Sequence, residues 1–426
     1  MAASGTTIMP EIRRPDLPKL PLDWQWVQFS DICERVSVGH VGPTIEQFRD
    51  RTEGILFLRS QNVRPGRLVL ETAAAIAPEF HQKLKKSQLR AGDILFVRVG
   101  ANRGDCCVVP MGVGELNCAN IVFARPKYRT GFHAYFFQSD LGRSLLLSAS
   151  VGAAQGVINT SSVASMPVPL PPLAVQRWIA DILSTYDGLI ENSQRRIRIL
   201  EAMARALYRE WFVHFRFPGQ EKLPRVGSPL GDIPKGWEVK QLKDVANVTY
   251  GFPFQSKKFN TRGIGTPVIR IRDILDASTD TFTDEEAEPK YHIKNGDILV
   301  GMDGEFHMCI WSSGQAFQNQ RVAKFESRGE IGNFHLFLAL ELPIQTWNNS
   351  IVGTTVAHLG DMHIKTIQLA WPPVKFLAKV RETLEPMSEK IIALKRQILN
   401  LRRTRDLLLP RLVSGRIAIT DIKGPQ

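Results

Sequence analysis

The sequence predicts a mixed α/β (α+β) protein in which two tandem globular domains are joined by two long antiparallel coiled-coil helices with pseudo-two-fold symmetry. Three observations lead to this fold class. The chain contains an internal repeat, each copy ends in a heptad pattern, and short β-rich runs alternate with amphipathic segments inside each copy. A length of 426 residues accommodates two such copies of about 200 residues each.

The internal repeat is visible as three pairs of matching segments. PLDWQWVQFSDI begins at Pro21 and PKGWEVKQLKDV begins at Pro234, so that Trp24 matches Trp237. LRAGDILFVRVG matches IKNGDILVGMDG, and LPPLAVQRWIADIL matches WPPVKFLAKVRETL. Runs such as GILFLRSQNV and PVIRIRDI predict strands, while FHAYFFQSDLGRSLLLSAS and NFHLFLALELPIQTWNN predict helices. Both copies are therefore expected to share one α+β fold.

Each copy closes with a segment of about 40 residues that predicts a helix roughly 60 Å long. Apolar side chains recur there at heptad spacing, and two stripes of this length can cover each other. Pseudo-two-fold symmetry follows if the two helices run antiparallel. The predicted coiled-coil residues are Leu183, Tyr186, Ile190, Ile197, Leu200 and Leu207 in the first helix, and Leu384, Met387, Ile391, Leu394, Ile398, Leu401 and Leu408 in the second.

Proline- and glycine-rich segments separate these parts of the chain. The prolines of the first twenty residues predict an extended or mobile lead-in, and those after the first helix predict a flexible return to the second domain. The predicted divisions are a lead-in at 1–20, domain 1 at 21–172, a central helix at 173–215, a linker at 216–233, domain 2 at 234–372, a distal helix at 373–416 and a tail at 417–426.

The composition of the chain indicates the kind of partner it binds and the cellular compartment in which it works. A formal net charge of +12 favours a polyanion, most simply nucleic acid. The five cysteines are odd in number and show no CxxC spacing, so they are expected to be reduced core residues. The chain has neither an apolar signal segment nor a run of the ~18 apolar residues that span a bilayer. We expect a cytoplasmic protein without a membrane partner.

The sequence contains no recognisable catalytic motif. It lacks the GxxxxGK[ST] and GxGxxG phosphate loops, the HExxH zinc motif and the GxSxG serine elbow. The histidines are scattered, and a structural role is favoured for His307 and His363 over metal ligation. The two Pro-Pro pairs are interpreted as helix starts. We therefore expect a non-enzymatic chain that holds neither a metal nor a cofactor.

Candidate DNA-reading side chains lie in matched loops of the two copies. Arginine reads guanine by two hydrogen bonds, while asparagine and glutamine read adenine. Different side chains at corresponding positions suggest that the two halves read different bases. The candidates are Arg59, Gln61, Asn62, Arg64, Arg98, Asn102 and Arg103 in the first copy, and Arg270, Arg272, Asp273 and Asp303 in the second.

The tandem of GDIL-containing domains, each followed by a PPL- or PPV-initiated heptad helix, resembles the specificity subunit of type I restriction-modification enzymes (HsdS family). The resemblance covers about 21–420 and is carried most closely by LPPLAVQRWIADILSTYDGLIENSQRRIRIL and PPVKFLAKVRETLEPMSEKIIALKRQIL. It implies two target recognition domains that each read half of a bipartite double-stranded DNA site, with a coiled coil that sets the spacer. It also adds Gln155, Lys257, Lys258 and Thr354 to the expected DNA-binding residues.

The same resemblance implies partners that carry the chemistry. These are two methyltransferase (modification) subunits that bind S-adenosylmethionine and methylate adenine, and restriction/translocase subunits that use ATP and Mg²⁺. Two alternatives stay open at this point. One is a coiled-coil scaffold protein without sequence-specific reading, and the other is a cryptic single-chain methyltransferase or nuclease.

Overall fold

The computed structural model describes residues 17–149, 156–219, 221–329, 331–350 and 358–417. These residues form two compact units. One comprises the chain up to Gly188 together with the chain from Arg402, and the other comprises Leu189–Leu401. Each unit therefore combines one globular domain with a piece of both long helices, so the compact units differ from the divisions predicted along the chain. No helix within these ranges is long and apolar enough to cross a membrane.

The first unit is built around two main sheets. Its strands are β1 (Gln25–Gln28), β2 (Cys33–Val38), β3 (Phe48–Arg49), β4 (Ile55–Leu58), β5 (Val63–Arg64), β6 (Arg67–Leu68), β7 (Ala74–Ile76), β8 (Gln88–Leu89), β9 (Ile94–Val97), β10 (Cys106–Val108), β11 (Leu116–Cys118), β12 (Ile121–Pro126) and β13 (Pro167–Leu170). Its helices are α1 (Pro78–Lys83), α2 (Phe132–Gln138), α3 (Asp140–Ser148), α4 (Thr160–Ala164) and the start of α5 (Leu173–Tyr208). One sheet is antiparallel in the order β10-β9-β12-β2, and the other has the order β3-β7-β4-β11-β8 with β4 parallel to β11.

The second unit repeats this topology. Its strands are β14 (Arg225–Val226), β15 (Ile233–Pro234), β16 (Glu238–Gln241), β17 (Ala246–Tyr250), β18 (Thr266–Ile269), β19 (Phe282–Thr283), β20 (His292–Ile293), β21 (Ile298–Gly301), β22 (Met308–Ile310), β23 (Ala316–Gln318), β24 (Val322–Ser327) and β25 (Gln368–Trp371). Its helices are α6 (Leu242–Val245), α7 (Asn333–Ser350), α8 (Asp361–Lys365) and most of α9 (Val374–Val413). The sheets β17-β24-β21-β22 and β19-β18-β23-β20, with β18 parallel to β23, match the two main sheets of the first unit. The predicted tandem α+β organisation is confirmed.

The GDIL motif supplies a buried central strand and a turn-closing carboxylate in each unit. All four residues of β9 and of β21 are buried. The Asp93 carboxylate accepts a hydrogen bond from the Arg90 backbone N–H at 2.8 Å, and the Asp297 carboxylate accepts one from the Lys294 N–H at 2.9 Å. Asp93 also accepts two bonds from the Arg125 guanidinium, at 2.8 and 2.7 Å. The GDIL motif therefore has the same structural role in both units, as an interior strand of the antiparallel sheet and the turn before it.

The two long helices are α5, with 36 residues and a further π-helical turn at Arg209–Val213, and α9, with 40 residues. Asp187 pairs with Arg405 in the first unit and Glu201 pairs with Lys395 in the second. The pair nearer the start of α5 involves the residue nearer the end of α9, so the two helices are antiparallel. Seven predicted coiled-coil residues are buried, namely Leu183, Ile190, Ile197, Leu384, Ile391, Leu394 and Ile398. Six are half-buried, namely Tyr186, Leu200, Leu207, Met387, Leu401 and Leu408.

Two local predictions need correction. The segment from Phe132 to Ser148 is two helices, because Ser139 ends α2 and caps α3 by accepting a hydrogen bond from the Gly142 N–H at 3.2 Å. The linker at 216–233 is predicted to be a flexible return, but its β14 strand pairs with β15, which begins at the end of the linker and continues into domain 2. Its Phe217 is 2% exposed and packs on the ring of Trp211.

Candidate nucleic-acid interface

The turn after β4 and the turn after β18 are closed by matched side chains. Asn62 accepts a hydrogen bond from the Arg59 backbone N–H at 2.9 Å, and Asp273 accepts one from the Arg270 N–H at 2.9 Å. The Asn62 amide also donates to the Val69 carbonyl at 3.0 Å. Asn62 is 0% exposed and Asp273 is 7% exposed. Both are among the predicted DNA contacts, and in the structure their polar groups form hydrogen bonds within the turn.

The arginine that opens each of these turns lies over an aromatic ring. The guanidinium carbon of Arg59 is 5.8 Å from the centre of the Phe48 ring, and that of Arg270 is 5.8 Å from the centre of the Phe259 ring. Arg59 is exposed and makes no ion pair with a carboxylate among the described residues. The face of an aromatic ring attracts a cation and restrains its position. The arrangement restrains one guanidinium in each unit, exposed in the first and half-buried in the second.

Arg270 differs from Arg59 because carboxylates surround it. Its guanidinium lies 3.6 Å from Asp273 and 3.7 Å from Asp280, and it donates to the Thr281 hydroxyl. The neighbouring Arg272 reaches the same two carboxylates, at 3.5 Å and 3.3 Å. The second unit therefore brings three predicted site residues, Arg270, Arg272 and Asp273, together in one ion-pair cluster, where much of the arginine charge is neutralised.

The remaining candidates of these turns are more open. Gln61 is exposed, and Arg64 is half-buried with its guanidinium on the Val63 carbonyl at 3.0 Å. Lys257 and Lys258 are both exposed on a single 3₁₀ turn. Gln61, Lys257 and Lys258 are therefore open to solvent, whereas Arg64 is less accessible.

The loop after β9 is anchored to the glycine-rich segment of the first unit. Arg98 donates from its side chain to the Ile158 carbonyl at 3.2 Å, and Arg103 donates to the Gly156 carbonyl. Asn102 between them is exposed. Arg143 of α3 adds a further cation, held by Asp105 at 2.8 Å. The structure thus gathers three arginines around one loop.

The corresponding loop after β21 has an acidic centre. Asp303 accepts a hydrogen bond from Nδ1 of His358 at 2.6 Å and lies 3.3 Å from the guanidinium of Arg321. Its side chain is 27% exposed, so a carboxylate oxygen can be reached from solvent. The backbone N–H of Leu359 donates to the Met302 carbonyl at 2.7 Å, which anchors the loop to the second glycine-rich segment. Gln155 and Thr354, predicted in these two segments, lie outside the described residues.

The side chains that contact the candidate DNA-reading residues were not predicted from the sequence. Phe48 and Phe259 stand at the same distance along the chain before Arg59 and Arg270, so the repeat itself carries the signal for this pair. His358, Arg143 and Arg321 are brought to the loops by other elements, and no local pattern marks them.

The described residues contain no group of three or more histidine, cysteine or acidic side chains arranged to hold a metal ion. All five cysteines are buried and unpaired, as expected for reduced core residues. Burial raises the pKa of Cys33 and of Cys309 to about 12, so these thiols stay protonated. Thiol chemistry is therefore not a property of these two residues at neutral pH.

A repeated α+β domain, two long paired helices and surface arginines around matched loops define a tandem-domain protein suited to a polyanionic partner. The family described as type I restriction modification DNA specificity domain matches residues 21–202 and 234–402. The chain belongs to this family, and the resemblance seen in the sequence is confirmed.

Individual relatives show the same relationship. The chain is 26% identical over 305 residues to the type I restriction enzyme MjaIX specificity subunit of Methanocaldococcus jannaschii, covering 68% of this chain and 69% of that one. It is 34% identical over 212 residues to the EcoBI specificity subunit of Escherichia coli, covering 49% and 45%. The crystal structure of a type I S subunit from M. genitalium aligns over 95% of this chain and 99% of that one, at 14% identity and a TM-score of 0.59. This last likeness concerns the fold.

Proposed function

We propose that this chain is the DNA-specificity subunit of a type I restriction-modification system and has no catalytic activity of its own. Each globular domain reads one half of a bipartite double-stranded DNA site, and the paired helices set the spacer between the halves. The observation that carries the proposal is one fold built twice. In both units a backbone hydrogen bond ties the loop after the GDIL strand to the glycine-rich segment, from the Ile158 N–H to the Arg98 carbonyl at 3.1 Å and from the Leu359 N–H to the Met302 carbonyl at 2.7 Å, while the side chains on the loop differ. A duplicated frame with divergent loops suits two different half-sites.

The two loops offer different chemistry to a base edge. Arg98, Asn102 and Arg103 present donors to the first half-site, where guanine O6 and N7 are the natural acceptors. Asp303 presents a carboxylate to the second half-site, where the amino groups of cytosine and adenine are the natural donors. Arg59, Lys257 and Lys258 are suited to phosphate contacts that position each domain on the duplex.

The chemistry then belongs to partner subunits. Two modification subunits supply S-adenosylmethionine and methylate adenine, and restriction/translocase subunits supply ATP- and Mg²⁺-dependent cleavage in a cytoplasmic complex. Eleven basic and four acidic side chains lie between residues 375 and 416, which gives the distal helix the charge to meet an acidic partner surface or the DNA spacer.

Mapping of methylated adenines tests this function. The chain is co-expressed with its modification subunits in a host without methylation, and the modified sites are read by single-molecule sequencing. We expect one bipartite motif with a constant gap. Methylation without a shared motif would instead support the scaffold alternative, and methylation or cleavage by the purified chain alone would support the single-chain enzyme.

A further inference from the structure

The seam of the coiled coil does not by itself say which helix pairs with which. Leu183 and Leu384, and likewise Ile190 and Ile391, are buried at corresponding heptad positions of α5 and α9. An apolar seam of this kind accepts α5 against α9, but it also accepts α5 against α5 or α9 against α9 from two copies of the chain. Polar side chains at the seam commonly decide between such pairings.

The first unit contains a polar network at this seam. The Asp187 carboxylate accepts a hydrogen bond from the Tyr135 hydroxyl at 2.7 Å and one from the Arg405 guanidinium at 2.6 Å. The side chains of Asp187 and Arg405 are only 28% and 29% exposed. Removing one partner of an ion pair that is partly shielded from water costs much more free energy of folding than removing one partner of a fully exposed pair.

The second unit replaces every member of this network. Counted from the matched leucines Leu183 and Leu384, Asp187 corresponds to Ser388 and Arg405 corresponds to Ala204, while Tyr135 of FHAYFF corresponds to Phe337 of FHLFLA. Ser388 and Ala204 are 5% and 0% exposed. The network therefore marks one end of the helix pair and is absent from the equivalent place in the described part of the other unit.

The second unit has ion pairs of its own between other positions. Arg205 of α5 binds Glu341 of α7 at 2.9 Å, and Glu201 lies 4.0 Å from Lys395. At the positions that correspond to Arg205 and Glu201, α9 carries Asp406 and Arg402. The charges are thus reversed or exchanged between the two helices.

We propose that these ion pairs select the pairing of α5 with α9 and disfavour the pairing of like helices from two copies. If α5 met α5 in the same register, Asp187 would face Ala204 and lose its cation. If α9 met α9, Arg405 would face Ser388 and Lys395 would face Arg402, a like charge. Each mispaired dimer would contain two such faults, one at each end.

Co-expression of two differently tagged full-length copies tests the proposal. The network variant carries Tyr135→Phe, Asp187→Ser and Arg405→Ala, which installs the residues of the second unit. We expect the unaltered chain to be recovered almost entirely as a monomer, with a small background of cross-copy capture. The network variant should show at least about a tenfold larger fraction of mixed-tag complexes, since each ~1.4 kcal/mol of lost discrimination is tenfold.

Three further variants keep the test decisive. Arg411→Ala removes an exposed arginine of α9 outside the network and should behave like the unaltered chain.

Asp187→Arg and Arg405→Asp are made in separate copies, so that opposite charges meet only when α5 of one copy pairs with α9 of the other. Co-expressed, these two should form more mixed complexes than either forms with itself. A folded network variant as monomeric as the unaltered chain, or reversed-charge copies that do not prefer each other, would overturn the proposal.

Discussion

The guanidinium of Arg59 stands 5.8 Å above the ring of Phe48, and the second copy of the fold repeats this relationship with Arg270 and Phe259. The pair is repeated although the residues around it diverge. In the first unit the arginine is exposed and no carboxylate among the described residues pairs with it, whereas in the second Asp280 competes for it. The first unit therefore presents the more exposed and less neutralised cation at this place.

Arg59→Ala should weaken methylation of DNA by the complex about 10- to 100-fold if Arg59 contacts a base, since a good bidentate pair contributes ~1–3 kcal/mol of discrimination. If it contacts a phosphate, binding should fall uniformly across sequences and the salt dependence should weaken. The measurement is the methylation rate on duplexes that carry single substitutions in either half-site.

Phe48→Leu should have a smaller effect in the same direction, because it removes the ring face but leaves the charge in place. Arg67→Ala is the matched control, since Arg67 is an exposed arginine of the same unit whose side chain pairs with Glu71 at 3.6 Å. Equal losses for Arg59→Ala and Arg67→Ala would show that only general surface charge matters here.

Asn62→Ala and Asp273→Ala should lower stability without changing the DNA sequence that is methylated. Each side chain closes a turn through a backbone N–H, and a buried group left without its partner costs about 1–3 kcal/mol. Urea unfolding and motif mapping of the same variants measure the two effects separately. A changed motif with unaltered stability would return these residues to the DNA interface.

The fold could be predicted from the sequence because each pattern occurs twice, so that one copy supports the interpretation of the other. The GDIL strands, the helix starts and the heptads all appear in both copies. The site was harder to predict for a physical reason. Asparagine and aspartate are the residues that read bases and also the residues that close turns, so the sequence does not distinguish Asn62 as a reader from Asn62 as a cap. Burial distinguishes them. The partners of Asp303, which arrive from distant elements, carry no local signal either.

The two GDIL aspartates should respond oppositely to loss of charge. Asp93→Asn leaves the buried Arg125 guanidinium without its carboxylate, which costs about 3–5 kcal/mol. Asp297 is 1% exposed and its Oδ1 atom has no hydrogen-bond partner in the described structure. Burial raises the pKa of Asp297 above its ordinary 3.8.

A carboxyl group with a raised pKa favours folding while it is protonated, and this contribution is lost as the pH rises from 3.8 through the raised value. At neutral pH Asp297→Asn should therefore leave stability unchanged or raise it, and it should flatten the pH dependence in that window. Equilibrium unfolding of both variants between pH 4 and 8 checks this. Equal destabilisation by the two substitutions would contradict it.

The matched histidines of α2 and α7 should make the protein sensitive to acid. Burial lowers the pKa of His133 to about 4 and that of His335 to about 3. The unfolded chain takes up these protons near pH 6.5 while the folded chain does not, so stability falls as the pH drops below 6.5. Each histidine contributes a slope of about 1.4 kcal/mol per pH unit in that range.

His335→Phe should remove one of these slopes, because the ring lies among Phe212 and Trp371 and a phenyl group suits that surrounding. The measurement is the free energy of unfolding at pH 7 and pH 5. If His335→Phe has the same slope as the unaltered chain, the acid sensitivity has another source.

Lengthening the helices should lengthen the gap between the two methylated half-sites. Four residues inserted near Ser193 add about 6 Å to α5 at 1.5 Å per residue, which corresponds to one or two base pairs at ~3.4 Å each. A four-residue insertion also rotates the heptad seam, because it is not a multiple of seven. The sharper variant inserts seven residues after both Ser193 and the corresponding Leu394, which keeps the seam of both helices in phase and adds about 10 Å, or roughly three base pairs. Motif mapping should then show the same two half-sites with a longer gap, and an unchanged gap in this folded variant would mean that the helices do not measure the spacer.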